Sequence, residues 1–337
     1  MSGRPLDQLG RPVRDLRLSV TDRCNFRCIY CMPREAFGPN HAFLPPAEIL
    51  TYEEFARLVA VFAQLGVSKV RLTGGEPLLR KDLEALISMV SATPGIDDVA
   101  LTTNGSLLAN RAAALRAAGL NRVTISLDTI DPEMFGAMAD TRLSLTTVLD
   151  GIQAAAEAGL TPVKLNAVVR RGRNDNGIVE LAEFARAHGH VLRFIEYMDV
   201  GDTNKWVLDD VVPSAEVIAR IGAVFPVEPV PASRRGEVAK RWRYLDGAGE
   251  IGVISSVTQP FCTDCTRARV TSTGELFTCL FGSGKLDLRA MMRVGVSDDE
   301  LRHAISGVWS GRRDRYSERM RGHGTSEPRA EMSYLGG

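Results

Sequence analysis

After Thr51-Tyr-Glu-Glu54, which has the form of a capping box, apolar residues recur at helical spacing through Phe55, Leu58, Val59, Phe62 and Leu65, and Gly66 stops the run. An extended segment, VSKVRL, begins at once. The same order returns three times: helical runs end near Gly119, Gly159 and Gly189, and NRVTISL, TPVKLNAVV and VLRFIEYM follow within two residues. With LRLSV near the start and DVALTTN in between, the pattern predicts six strands, each but the last followed by a helix. Alternating βα units of this kind make an α/β fold, a parallel sheet with helices outside. Periodicity leaves open whether that sheet is an open doubly wound one or an incomplete barrel.

In parallel α/β folds, ligands gather at the carboxyl ends of the strands. Strand one runs from Arg17 into a cysteine loop, strand two ends in Thr73-Gly-Gly-Glu-Pro77, strand three in Thr102-Thr-Asn-Gly105 and strand four in Ser126-Leu-Asp128, while strands five and six carry Lys164 and Met198. One rim is expected to collect them all. Gly74-Gly75 reads either as a tight turn or as a place where backbone approaches a ligand. The Gly74-Gly75 turn forms neither G-x-G-x-x-G nor G-x-x-x-x-G-K, which argues against a nucleotide dehydrogenase.

The chain has 337 residues, 45% of them hydrophobic, enough for about two domains with ordinary cores. Its 41 basic and 41 acidic residues cancel, so no global field directs it to nucleic acid or a membrane. The opening MSGRPLDQLGRPVRD lacks an apolar stretch and no run approaches the ~18 apolar residues of a membrane span, so the chain reads as cytoplasmic with reduced thiols. All six cysteines fall into two triplets, Cys24, Cys28 and Cys31, and Cys262, Cys265 and Cys279. A disulfide framework suits short secreted chains, not this one. Structural zinc is the stronger alternative for Cys262-x-x-Cys265, but the first triplet is too tightly spaced for zinc-ribbon knuckles. A four-iron cube held by three cysteines keeps one iron open, which points to chemistry; an electron carrier would saturate each cluster with four protein ligands. His188-Gly-His190 reads as a surface turn, and the basic stretch from Arg312 through Arg315, Arg319, Arg321 and His323 as a solvated helix.

Cys24-x-x-x-Cys28-x-x-Cys31, with Tyr30 before the last cysteine and a Gly-Gly-Glu-Pro turn downstream, resembles the radical S-adenosylmethionine (SAM) superfamily. Cys262-x-x-Cys265-x13-Cys279 and the terminal Gly336-Gly337 narrow the resemblance to the molybdenum cofactor biosynthesis protein A family, the GTP 3′,8-cyclases. That resemblance implies an incomplete (βα)6 TIM-like barrel over residues 1–200 and a C-terminal α+β iron–sulfur region over 201–337. It implies two 4Fe-4S clusters, one on Cys24, Cys28 and Cys31 and one on Cys262, Cys265 and Cys279. SAM is then expected at Tyr30, Gly75, Ser126 and Met198, GTP at Arg17, Arg71, Thr102, Lys164, Arg267, Ala268 and Arg269, and a catalytic role falls on Gly336 and Gly337. The family's partners are an electron donor and a downstream cyclic pyranopterin monophosphate synthase, and a homodimer is allowed. The nearest rival is a radical SAM enzyme acting on a peptide or another small molecule.

Elementary chemistry supports the cation set separately, because a buried triphosphate must be met by cations or backbone donors. Arg17, Arg71 and Lys164 lie on three predicted strands and converge only if the sheet joins them, though Lys164 in an alternating strand also suits a solvent-facing position. Arg267 and Arg269, at i and i+2 of an extended segment, share one face.

Overall fold

The six predicted strands form consecutive parallel neighbours in the computed structural model, which describes residues 4–234, 236–319 and 330–336. They are β1 (Asp15–Ser19), β2 (Lys69–Thr73), β3 (Asp98–Thr103), β4 (Arg122–Ser126), β5 (Lys164–Val169) and β6 (Val191–Glu196). Helices α1 (Tyr52–Gln64), α2 (Leu83–Ser91), α3 (Ala112–Ala117), α4 (Pro132–Ala139), α5 (Leu145–Glu157) and α6 (Ile178–Ala187) occupy the crossovers. The capping box of α1 is formed as read: Thr51 Oγ1 accepts from the Glu54 N–H at 3.1 Å and Glu54 Oε2 from the Thr51 N–H at 2.8 Å. One expectation is corrected. β6 does have its helix, α7 (Ser214–Gly222), which packs against α6 and β6 after a long loop. That loop, between Glu196 and Ser214, hid the repeat.

The residues after 200 join the same sheet at both edges. Strands β7 (Val227–Val230), β8 (Lys240–Tyr244), β9 (Glu250–Ile254), β10 (Arg267–Val270), β11 (Glu275–Phe277) and β12 (Leu286–Asp287) complete the order β12-β11-β10-β1-β2-β3-β4-β5-β6-β9-β8-β7. β9 pairs parallel with β6, and β10 parallel with β1. The parallel arc therefore has eight strands, capped by antiparallel β8 and β7 on one side and β11 and β12 on the other. Among the described residues the two edge strands do not pair, so the arc stays open as an incomplete barrel. Helices α8 (Leu288–Arg293), α9 (Asp298–Ser310), α10 (Tyr316–Arg319) and α11 (Met332–Leu335) follow. No described helix is long and apolar enough to cross a membrane.

The strands alternate. In β1 the buried Leu16 and Leu18 face the helices while Asp15 and Arg17 turn to the other side, and β2, β5 and β6 repeat the pattern. Parallel strands covered on both faces usually read as continuous apolar runs. Strict alternation here means that the concave face is polar. The convex face supplies the core, where each fully buried Leu or Val stabilises the fold by about 1.5 to 3 kcal/mol.

Candidate active site

The first cysteine triplet leaves the carboxyl end of β1 and is clamped by the loop that follows β2. The Gly75 N–H donates to the Thr21 carbonyl at 2.9 Å and the Glu76 N–H to the Arg23 carbonyl at 2.7 Å. A Cβ on Gly75 would lie 2.3 Å from the Arg23 oxygen, and one on Gly74, whose φ is +153°, 2.6 Å from the Thr21 oxygen. Both glycines are thus needed for two backbones to touch, which is more than a tight turn demands. The Glu76 carboxylate is fully buried and accepts from Thr103 Oγ1, the Asn104 N–H and the Leu78 N–H at 2.8, 2.7 and 2.9 Å, joining the ends of β2 and β3. Burial nevertheless pushes its pKa up to about 7.

Tyr30 Oη donates to Asp128 Oδ2 at 2.8 Å, and Asp128 Oδ1 accepts from the Val168 N–H at 2.8 Å, so the aromatic ring of the cysteine loop is fixed to the ends of β4 and β5. Burial raises Asp128 to about 6. Cys24, Cys28 and Cys31 are half-buried free thiols. Burial is also the main reason the Cys24 thiol rises to about 11 and those of Cys28 and Cys31 rise with it. Three desolvated thiols on one loop suit ligands that surrender their protons to a metal group.

Below this rim lies a cavity of about 600 Å³, within the range of small-molecule sites. Register builds its walls: Arg17 stands opposite Arg71 on one side and Arg269 on the other, Thr102 opposite Thr124, and Thr124 opposite Lys164. Arg71 Nη1 donates to Thr102 Oγ1 at 2.9 Å and to Thr124 Oγ1 at 3.1 Å, which directs its guanidinium across the concave face. Burial, then repulsion from Arg193, Arg122, Lys69 and Arg71, pulls the Lys164 ammonium down to about 7. Burial, then Arg267, draws Arg269 down to about 9, while burial and Arg193 draw Arg71 to about 10.

The second triplet closes the opposite end. Cys262 and Cys265 immediately precede β10, whose first residue Arg267 pairs with Asp15 at the amino end of β1, and all three cysteines line the cavity. The expectation that one rim collects every strand-borne candidate is corrected for Lys164. The strands separate the triplets by their own length, roughly 15 Å for five residues, and Lys164, the first residue of β5, lies near the second triplet's end of the sheet. Arg267 Nε and Nη2 donate to Cys265 Sγ at 3.4 and 3.3 Å. Burial would raise the Cys265 thiol, but Arg267 and Arg312 outweigh it and bring the pKa down to about 6. The donor set again fits a thiolate-held group. Among the described residues, no three His, Cys, Asp or Glu side chains form a single-ion site.

Arg17, Arg71, Thr102, Lys164, Arg267, Arg269 and Met198 all line the cavity. Tyr30, Gly75 and Ser126 do not; they belong to the carboxyl rim, where Ser126 ends β4 opposite Asn166. Ala268 turns its side chain to the core on the other side of β10, as alternation requires. The Gly336 carbonyl accepts from Arg269 Nη1 at 2.6 Å, and a Cβ on Gly336 would meet Thr73 Cγ2 at 2.4 Å, so the tail runs between the first motif and β10. Gly337 lies outside the described residues, as do Arg321 and His323. Arg312 is also corrected, because it is buried after α9 and not on a solvated helix. His188 and His190 stack on each other beside Phe184, the former exposed.

Sequence reasoning missed Lys69, Arg122 and Arg193, all on the cavity wall. For two of them the signal was the period of two: Lys69 shares a strand face with Arg71, and Arg122 with Ser126.

Comparison with known proteins agrees with this geometry. Residues 18–185 match the family model of the Radical SAM superfamily, and residues 190–318 that of Molybdenum Cofactor Synthesis C. A GTP 3′,8-cyclase of Acidothermus cellulolyticus is 59% identical over 316 residues, covering 93% of this chain and 87% of that protein. One from Staphylococcus aureus is 44% identical over 335 residues, 98% of each chain. In fold, the chain is similar to Streptococcus suis SuiB bound to S-adenosylmethionine, with a TM-score of 0.57 and 15% identity over 88% of this chain and 68% of that one. By sequence over nearly its whole length, with the parallel arc and cysteine loop the superfamily requires, the chain belongs to the GTP 3′,8-cyclase family of radical SAM enzymes.

Proposed function

We infer that the cavity is the GTP site of this cyclase, with one iron–sulfur cluster on Cys24, Cys28 and Cys31 and a second on Cys262, Cys265 and Cys279. The observation that carries this reading is local charge. Among the described residues eleven Arg and Lys line the cavity against four Asp and Glu, in a chain whose 41 basic and 41 acidic residues cancel. A triphosphate brings roughly three to four negative charges, the partner such an excess calls for.

SAM held at the first cluster would, on one-electron reductive cleavage, supply a 5′-deoxyadenosyl radical; removal of hydrogen from C3′ of GTP, bonding of C3′ to C8 and uptake of a further electron and proton would give 3′,8-cyclo-7,8-dihydroguanosine 5′-triphosphate, the first step toward molybdopterin. Tyr30, Gly75, Ser126 and Met198 hold SAM at the rim. Arg17, Arg71, Lys164, Arg267 and Arg269 hold the nucleotide, with Ala268 serving through its backbone, and Thr102 aims Arg71. Each charge-assisted bond contributes roughly 1.5 to 3 kcal/mol. The guanine lies toward the second cysteine set, so that C3′ is presented to the rim. Such orientation matters because a displacement of about 1 Å can cost about a hundredfold in rate. Gly336 completes the wall beside Arg269, and a catalytic role falls on the tail glycines Gly336 and Gly337. Residues 1–200 serve as the SAM core and 201–337 as the region carrying the second cluster. The enzyme works in the cytoplasm with a low-potential electron donor, hands its product to cyclic pyranopterin monophosphate synthase, and is compatible with a homodimer.

Anaerobically reconstituted protein given SAM, dithionite and GTP should form 5′-deoxyadenosine together with the cyclised nucleotide. SAM cleavage that ignores GTP and yields no cyclised product would instead favour the peptide-modifying rival.

GTP affinity should also fall with pH. Triphosphate binds the protonated lysine, so above the free value of about 7 for Lys164 a proton must be taken up on binding. That costs up to about 1.4 kcal/mol, near tenfold in Kd, per pH unit. Calorimetry from pH 7.5 to 9, where phosphate is already ionised, should show this weakening, and Lys164→Met should flatten it. An equally steep profile in the variant would assign the effect elsewhere.

A further inference from the structure

The two cysteine sets have opposite electrostatic surroundings. Arg267 is bonded to Cys265 Sγ, Arg312 Nη1 donates to the Cys265 carbonyl at 2.7 Å, and the Arg11 guanidinium bonds the Cys262 carbonyl. The side chains of Arg11 and Arg312 are 0% and 1% exposed and share one carboxylate, Asp7, at 2.6 and 3.3 Å. Trp309 Nε1 holds the Arg11 carbonyl at 2.9 Å, and the Arg312 guanidinium lies 4.7 Å over its ring. Asp314, the other acid in contact, accepts from Arg312 Nε at 3.4 Å and Thr278 Oγ1 at 2.5 Å, and among the described residues the buried Arg11 Nη2 has no hydrogen-bond partner. Cations thus exceed anions against this triplet, in a buried place where an apolar residue would be cheaper.

Around the first triplet the balance reverses. Arg27 donates to the Cys24 carbonyl at 2.8 Å, but the donors to Cys24 Sγ are neutral and distant, the Phe26 N–H at 3.5 Å and Asn104 Nδ2 at 4.0 Å. Asp128 is tied to Tyr30, and Asp128 and Glu331 both act on Cys31. Positive charge and hydrogen bonds to ligand sulfur favour the reduced, more negative state of a cluster, and nearby carboxylates disfavour it.

We propose that the buried Asp7, Arg11 and Arg312 are positioning residues that, with Arg267, hold the second cluster at a higher reduction potential than the first. The inference rests on the reading that each triplet carries a cluster. The first cluster then remains the stronger reductant, as cleavage of a sulfonium demands, while the second accepts its electron from the same low-potential donor more readily.

The test is a dithionite titration with redox mediators, followed by electron paramagnetic resonance. Serine replacements of either whole triplet assign the signals. The second cluster should be reduced first. Arg312→Met should shift its potential downward and leave the first cluster unmoved, while Arg312→Lys should retain most of the wild-type value. Reduction of the first cluster at an equal or higher potential, or no shift in Arg312→Met, overturns the proposal. If Arg312→Met fails to fold or loses iron, the wild-type order decides alone. Iron analysis separates the two levels: the Cys24, Cys28 and Cys31 triple serine variant should keep about four irons. With none, the two-cluster reading fails; with four and the reverse order, only the tuning inference fails.

Discussion

Cys28→Ser should reduce SAM cleavage to background, whereas Cys265→Ser should keep measurable cleavage and lose the cyclised nucleotide. The two residues occupy opposite ends of the parallel arc, Cys28 in the loop after β1 and Cys265 before β10, so each variant damages one end. The neighbours sharpen the expectation. Cys28 lies in the loop clamped by Gly75 and Glu76, which serves only the rim. Cys265 is held by Arg267 and Arg312, both on the cavity wall. Its loss should therefore also raise the Kd for GTP. Iron analysis with product chromatography checks the pair: each variant should lose about half the wild-type iron. Loss of the same single activity to the same degree in both would remove the division of labour.

The βα repeat was legible because glycine stops and apolar periods mark each unit locally, and the cysteine spacings were legible because metal ligands on one loop must be close in sequence. What lay hidden was long-range. Nothing local reveals that β10, some 250 residues after β1, pairs beside it, yet that pairing puts Arg269 next to Arg17 and carries the second triplet to the amino end of the sheet. Lys164 was ambiguous for the same reason: alternation in β5 says that it leaves the core, but only the curvature of the sheet says that the other side is a cavity and not solvent. Arg312 was misread because a run of charges ordinarily means a wet surface, whereas here Asp7, Asp314 and the Cys265 carbonyl compensate its burial. Glu196 escaped notice altogether. It ends β6 and accepts from the Ser214, Val257 and Thr258 N–H groups at 2.8, 2.9 and 2.8 Å, an anchor that no spacing rule announces.

Gly75→Ala should be nearly as damaging to SAM chemistry as loss of a cysteine, although it adds a single methyl group. That carbon would lie 2.3 Å from the Arg23 carbonyl oxygen and 2.6 Å from its carbon, and both obstacles are backbone, so no side chain can swing aside. Relief requires the loop after β2 to separate from the cysteine loop, breaking the Gly75 and Glu76 N–H bonds to Thr21 and Arg23. Overpacking of this kind costs about 1 to 3 kcal/mol of stability. The larger effect is geometric, because a shift of about 1 Å between SAM and the nucleotide can lower the rate about a hundredfold. The control is Gly136→Ala in α4, where an added Cβ meets nothing within 4 Å. A helical alanine there should be neutral or stabilise by up to about 1 kcal/mol. Thermal unfolding and SAM cleavage measured on both variants separate the terms: Gly75→Ala should lose far more activity than its change in Tm explains, and Gly136→Ala should lose none. Wild-type cleavage in Gly75→Ala would mean that the two loops do not need their contact, and that the glycine pair is only a turn after all.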